Sequence, residues 1–388
     1  MKTAGILIAF TWLYLLCGCH SNDPQPISET RCAKPSFEQE NTLIGLHGSM
    51  DAEAAIHLNA QIVRFGFADF KIRQAFDKNG GEDFLETLQK FKDANIRVIN
   101  YITWPEDTIS EIGADYERVP RGKDKEETLV LLDQYLETAG PYLDWVQINQ
   151  EPFGVTPYRE ADATVDPQTG RVPALEWWET VAERICEKRN QNPALAHLKI
   201  LSPGITGIKN LVRDDSPDPD FDEQPVTASL IDSIIVFAEE YCDAIDLHLH
   251  TESVELGIAE IDYIGNRTDM PLGATEWSQA HVAKSSGWLD EVNSIYGLSN
   301  RNVIKAAYEN PFTPEEWQSF LAAGPQTDGF IPDFYVAMQA RHFLFACYGG
   351  LYQYGSPAFD WKMIYAQKTT KPSVANQPFY DEFVSWTK

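Results

Sequence analysis

Trp145-Val146-Gln147-Ile148-Asn149-Gln150-Glu151-Pro152 reads as a short strand that ends in a carboxylate. Val146 and Ile148 are β-branched and alternate with Trp145, Gln147 and Asn149, and Pro152 stops the ladder. Successive strand side chains point to opposite faces. One face is therefore apolar, and the other carries two amides and then Glu151. That suits a strand with helices behind it and a polar chamber in front. Met270-Pro271-Leu272-Gly273-Ala274-Thr275-Glu276-Trp277 has a similar form, a small and apolar run ending in a glutamate.

Strand-like and helix-like segments alternate around these two stretches, which implies a parallel sheet with covering helices. Strands are expected at residues 42–47, 61–67, 96–102, the Trp145 stretch, 198–201, 244–250, the Met270 stretch and 350–354. Phe84, Leu85, Leu88 and Phe91 recur at helical spacing, as do Leu129, Leu132 and Leu136. Leu175, Trp178, Ala182 and Ile185 mark a further helix, and Leu230, Ile234 and Phe237 another; a last one is expected over residues 334–346. Eight such repeats, with no glycine-rich phosphate loop, point to an α/β fold: a single (β/α)8 TIM barrel over residues 41–388. Its βα loops are long, including an acidic, proline-rich stretch at residues 213–224. Barrel enzymes build their sites from these loops, and long ones suit something larger than a metabolite.

Ahead of the barrel, an apolar run over residues 6–16 is too short to span a bilayer and suits a signal-peptide core. It ends in Leu16-Cys17-Gly18-Cys19, which resembles the bacterial lipoprotein box. That resemblance implies removal of residues 1–18 and a lipid anchor on Cys19; the alternative is an ordinary secretory signal. Residues 19–40 are polar, carry Pro24, Pro26 and Pro35, and read as a flexible tether. The expected location is the bacterial cell envelope, with membrane contact through the lipid alone. A formal charge of −27 argues against nucleic acid and against docking on anionic lipid. Cys32, Cys186, Cys242 and Cys347 remain, none in zinc spacing, and the sequence leaves their pairing open. No cofactor and no metal are expected, and the chain is read as a monomer.

Glu151 and Glu276 end the fourth and seventh expected strands. Hydrolysis of an acetal needs a proton for the leaving oxygen and a carboxylate for the cationic centre, and two facing glutamates supply both. The chain resembles the clan A retaining glycoside hydrolases, (β/α)8 barrels that include endoglucanases, mannanases and β-xylosidases. There, Asn-Glu-Pro ends the fourth strand and supplies the acid/base, and a Thr-Glu pair ends the seventh and supplies the nucleophile. The resemblance rests on Asn149-Gln150-Glu151-Pro152 and Ala274-Thr275-Glu276-Trp277. It implies Glu151 as acid/base, with its pKa raised, and Glu276 as nucleophile. This chain departs from the clan at Gln150, where the clan has the asparagine that contacts the sugar 2-hydroxyl. By alternation Asn149 would do that work, and by position Gln150.

Arg64, in Ile62-Val63-Arg64-Phe65-Gly66, falls where the clan places an arginine beside the nucleophile, and there it would keep Glu276 ionised. Asp246, His248 and His250 alternate with Ile245, Leu247 and Leu249, so they share one strand face. His248 matches a clan histidine, and His250 replaces a tyrosine. Zinc binding by His248 and His250, or a structural hydrogen-bonded pair, are the alternatives. Trp104, Trp277 and Trp361 are expected to pack on sugar faces, with Trp288 and His47 as weaker candidates. The implied activity is retaining hydrolysis of a β-linked oligo- or polysaccharide. The competing reading is a lipid-anchored glycan-binding protein without turnover.

Overall fold

Eight parallel strands close on one another into a ring: β1 (Leu43–His47), β2 (Ile62–Ala68), β3 (Arg97–Thr103), β6 (Trp145–Ile148), β7 (Lys199–Leu201), β8 (Ile245–His250), β9 (Leu272–Ser278) and β10 (Phe345–Tyr348). The structure is a computed structural model. It describes residues 32, 41–48, 52–68, 82–103, 106–109, 114–117, 119–152, 165–212, 227–278, 329–349 and 383–384. Neighbours in the ring follow chain order, and β10 returns to pair with β1. The seam between β7 and β8 is joined by parallel bridges at Leu201–Ala244 and Ile205–Leu247. A short antiparallel hairpin, β4 (Glu106–Ile109) and β5 (Ala114–Glu117), stands apart from the ring after β3 and was not legible in the sequence. The expected (β/α)8 barrel is therefore the fold.

Helices cover the outside: α1 (Ala52–His57), α2 (Glu82–Asp93), α3 (Lys123–Ala139), α4 (Pro173–Gln191), α5 (Lys209–Val212), α6 (Ala228–Tyr241), α7 (Val254–Gly265) and α8 (Phe330–Ala340). Their starts follow local chemistry. Pro173 opens α4, where its missing N–H costs nothing, and Thr227 and Ser253 cap α6 and α7 by accepting from Leu230 N and Leu256 N. Along α4, Ala174, Trp177, Trp178, Val181, Ala182 and Ile185 form one buried stripe at helical spacing. Trp178 meets Phe237 of α6 at 5.9 Å between ring centroids. Burial of each of the larger apolar side chains contributes roughly 1.5–3 kcal/mol.

Inside the ring, chemistry changes with height. Ile62, Ile99, Trp145, Leu201, Ala244, Phe345 and Cys347 pack together as an apolar plug, with Trp145 edge-on to Phe345 at 5.6 Å. Gly273 makes room for that ring, since a Cβ there would lie 2.4 Å from Phe345. Two residues further along β2, β6 and β8 the inward positions are Arg64, Gln147 and Asp246, all fully buried. The strands thus run from a dry floor to an ionic layer, and the site sits above that layer at their carboxyl ends.

The last strand corrects one expectation. The sequence pattern carries the last helix to residue 346 and puts the eighth strand at 350–354; instead α8 stops at Ala340 and the strand is Phe345–Tyr348. His342 turns the chain with φ +57°, and the apolar run Phe343-Leu344-Phe345-Ala346-Cys347-Tyr348 is buried throughout. A strand buried on both faces shows no alternation, so its pattern resembles a buried helix. Residues 350–354 lie outside the described residues.

Cys32 pairs with Cys186 of α4, tying the segment before the barrel to the helical layer. Cys242 and Cys347 are buried and take no part in a disulfide among the described residues. Among the described residues no helix is long and apolar enough to cross a membrane. The leader, Cys19 and the tether other than Cys32 lie outside the described residues.

Candidate active site

A carboxylate oxygen of Glu151, one of Glu276 and a ring nitrogen of His250 all lie within 4.8 Å of one another at the carboxyl ends of the strands. Residues 125 apart in sequence meet here because β6 and β9 both aim at one mouth.

Glu276 reaches the mouth through an irregularity in β9. Gly273 faces the interior, so strict alternation would turn Thr275 and Trp277 inward and Glu276 outward. But Ala274 pairs with Leu247 and Glu276 with His248, which leaves Thr275 as an extra residue. This β-bulge shifts every following side chain to the opposite face. Asp246 fixes the bulge by accepting from Thr275 N at 2.8 Å and from Thr275 Oγ1 at 2.6 Å. The bulge also corrects the expectation for Trp277. Its ring is 1% exposed and packs edge-on against Phe334 of α8 at 5.6 Å and Tyr348 at 5.0 Å. It is a wedge between barrel and helix, with no face left for a sugar.

A buried polar chain connects the two glutamates from below. Arg64 donates through Nε and Nη2 to Gln147 Oε1, at 3.1 and 2.9 Å. Gln147 Nε2 donates to Asp246 Oδ2 at 2.6 Å. His248 Nε2 lies 3.2 Å from Asp246 Oδ2, and its Nδ1 lies 2.7 Å from Glu151 Oε1. Arg64 also stacks over Tyr101 at 4.0 Å. A buried guanidinium is costly unless its donors are engaged, and here they are. Burial alone would depress the His248 pKa. The hydrogen bonds to Asp246 and Glu151 outweigh it and raise the pKa to about 10.

Around Glu276, Oε2 lies 3.4 Å from Arg64 Nη1, 3.4 Å from His47 Nε2 and 3.6 Å from His248 Nδ1, while Oε1 lies 3.3 Å from His250 Nε2. Burial pushes this carboxyl up, but His47, His250 and His248 together hold it well below the usual carboxylate range. His47 itself is brought down to about 3, by burial foremost and by Arg64 among its neighbours, despite the pull of Glu276. Geometry agrees: Arg64 Nη1 can only donate, so His47 Nδ1, 2.7 Å away, must accept, and Nε2–H then faces Glu276. Burial would lower the His250 pKa, but its contact with Glu276 outweighs burial and raises it, so Arg64, His248 and His250 all favour the ionised carboxylate.

Of the expected residues, the structure brings together Arg64, Glu151, His248, His250 and Glu276. Asn149 is fully buried with φ +74°, and its Oδ1 accepts from Gln150 N at 2.6 Å; Gln150 is half-buried next to Glu151. His248 and His250 do not form a chelating pair, because both nitrogens of His248 are engaged below the mouth. Trp104, Trp288 and Trp361 lie outside the described residues. Sequence reasoning ranked His47 low and missed the roles of Gln147, Thr275 and Gly204. The alternation that begins at Trp145 does mark Gln147 as inward. Nothing marks Gly204, whose role is absence of bulk: a Cβ there would lie 2.4 Å from His248 Nε2 and 2.5 Å from Gln150 O. Gly204→Ala should displace both and destabilise the fold by about 1–3 kcal/mol, the usual cost of overpacking. Melting curves of the two proteins check this.

Glu260 of α7 lies just behind, 1% exposed, with Oε1 lacking a hydrogen-bond partner. Burial raises its pKa from 4.5 to about 8, against the opposing charges of Lys209 and His250. Between those values the folded chain keeps a proton that the unfolded chain has lost, so this group makes stability fall as pH rises. Glu260→Gln should therefore raise stability near pH 8, by on the order of 1–3 kcal/mol and seen as a higher melting temperature, and leave it unchanged near pH 4. Thermal melts at the two pH values check it.

No family model matches the chain, and no curated protein sequence matches it. Among solved structures it is similar to a β-glucosidase from Exiguobacterium marinum, at 9% identity and a TM-score of 0.49 over 91% of this chain and 98% of that one. It is also similar to the AHE enzyme from Alicyclobacillus herbarius, at 11% identity and 0.48 over 92% and 100%. A family 39 glycoside hydrolase from the gut symbiont Bacteroides cellulosilyticus is similar at 10% identity and 0.46 over 91% and 65%.

Proposed function

We propose that this chain is a retaining O-glycoside hydrolase acting on β-linked oligo- or polysaccharides, with Glu276 as nucleophile and Glu151 as acid/base. The observation that carries this is the approach of one oxygen of each carboxylate to within 4.8 Å of the other. Retaining enzymes hold their carboxyl groups about 5–5.5 Å apart, and inverting ones about 6.5–9.5 Å, to admit a water between.

In the first step a Glu276 oxygen bonds to the anomeric carbon as the glycosidic C–O bond breaks, and Glu151 gives its proton to the departing oxygen. His248 donates to the carboxylate left on Glu151. In the second step water attacks the anomeric carbon and gives a proton back to Glu151, and the ester to Glu276 breaks. The ionised state that the nucleophile needs is supplied by the donors around Glu276. Gln150, beside Glu151, contacts the sugar 2-hydroxyl in this reading, while Asn149 holds the turn. Trp104 and Trp361 pack on the sugar, and a lipid on Cys19 holds the enzyme at the cell envelope.

The test is a panel of aryl β-glycosides and β-linked polysaccharides offered to the protein lacking its leader, with products followed by proton NMR. Hydrolysis that releases the β-anomer first is expected. Initial release of the α-anomer, or no turnover across the panel, overturns the assignment.

A further inference from the structure

We infer that the mouth of the barrel also takes a divalent transition-metal ion, held by Glu151, Glu276 and His250. Such ions bind nitrogen and oxygen at about 2.0–2.2 Å in tetrahedral sites, so their ligands stand roughly 3.3–3.5 Å apart. His250 Nε2 and Glu276 Oε1 already stand 3.3 Å apart, and no separation in the triad exceeds 4.8 Å.

Each of the three ligands is also oriented from behind, as metal ligands are. His250 Nδ1 is 2.8 Å from Ser278 Oγ, which fixes that nitrogen and leaves Nε2 facing the mouth. Glu151 is held through Oε1 by His248, and Glu276 through Oε2 by Arg64 and His47. One further ligand atom remains on each side chain. Two carboxylates balance a divalent charge, and Asp246, 3.2 Å from His248 Nε2, offsets the charge of that imidazole from below. One imidazole with two carboxylates suits Zn²⁺ or Co²⁺ better than Mg²⁺ or Ca²⁺, which prefer all-oxygen sites. The position His250 occupies is what makes the set possible, because a tyrosine there would leave only two carboxylates.

Binding requires only these side chains. Its consequence rests on the hydrolase reading: ion and sugar compete for the same carboxylates, so the metal acts as a reversible competitive inhibitor.

The experiment is titration of the chelator-treated protein with Zn²⁺ by calorimetry and with Co²⁺ by visible absorption. One ion per chain is expected, at about 10 µM or tighter, with cobalt bands typical of four or five ligands. Glu276→Gln, Glu151→Gln and His250→Tyr should each weaken binding at least about tenfold, with metal-free melting curves confirming that the variants fold. Absence of saturable binding, or one-ion binding that survives in all three variants, overturns the inference. Rates on an active glycoside, with and without Zn²⁺, separate the two readings. Metal binding without any glycoside turnover removes the hydrolase alone, and turnover without metal binding removes the metal site alone.

Discussion

Glu276→Ala should lower kcat on any glycoside the protein hydrolyses by on the order of 10⁴-fold or more, the scale seen when a covalent nucleophile is removed. The remaining site would still bind sugar, since Arg64 keeps Gln147 and His47 as partners and the ionic layer stays intact. Azide should then restore part of the rate. It fits the space vacated by the carboxylate and attacks from the same face, so the product is the glycosyl azide of inverted configuration. Full activity in this variant would show that the nucleophile lies elsewhere.

Glu151→Gln should separate the two chemical steps. On substrates with poor leaving groups the loss should be about 10²–10⁴-fold, the usual worth of general acid–base assistance. On dinitrophenyl glycosides, whose leaving oxygen needs no proton, glycosylation should be almost unaffected, and the slow step becomes hydrolysis of the intermediate. Burst kinetics should appear, and azide should give the retained azide. The glutamine keeps an oxygen for His248 Nδ1, now 2.7 Å from Glu151, so a folding defect is not expected. Equal losses on both substrate types would remove Glu151 from the role of acid.

The two glutamates at the mouth owe their meeting to features of different legibility. The β6 strand was readable because Val146 and Ile148 alternate with polar neighbours and Pro152 ends the ladder. Arg64 was readable as a cation in an apolar strand, which demands a buried partner. The bulge at Thr275 was not, because a two-residue period carries no sign of an inserted residue. That is why Glu276 lies at the mouth beside Glu151 while Trp277, its neighbour, turns its ring to α8 instead of the mouth. β10 was misplaced for a related reason: a strand buried on both sides loses its period. The joining of Glu151 to Asp246 through His248 depends on contacts between β6, β8 and β9, which no single stretch encodes.

Peptide mass spectrometry after incubation with a 2-deoxy-2-fluoro β-glycoside bearing a good leaving group tests the shared-sugar geometry most directly, because the fluorine slows breakdown of the ester more than its formation. The expected result is one sugar per chain, carried on the peptide that contains Glu276. A sugar on any other residue, or turnover of natural glycosides with no trapped ester, would contradict it.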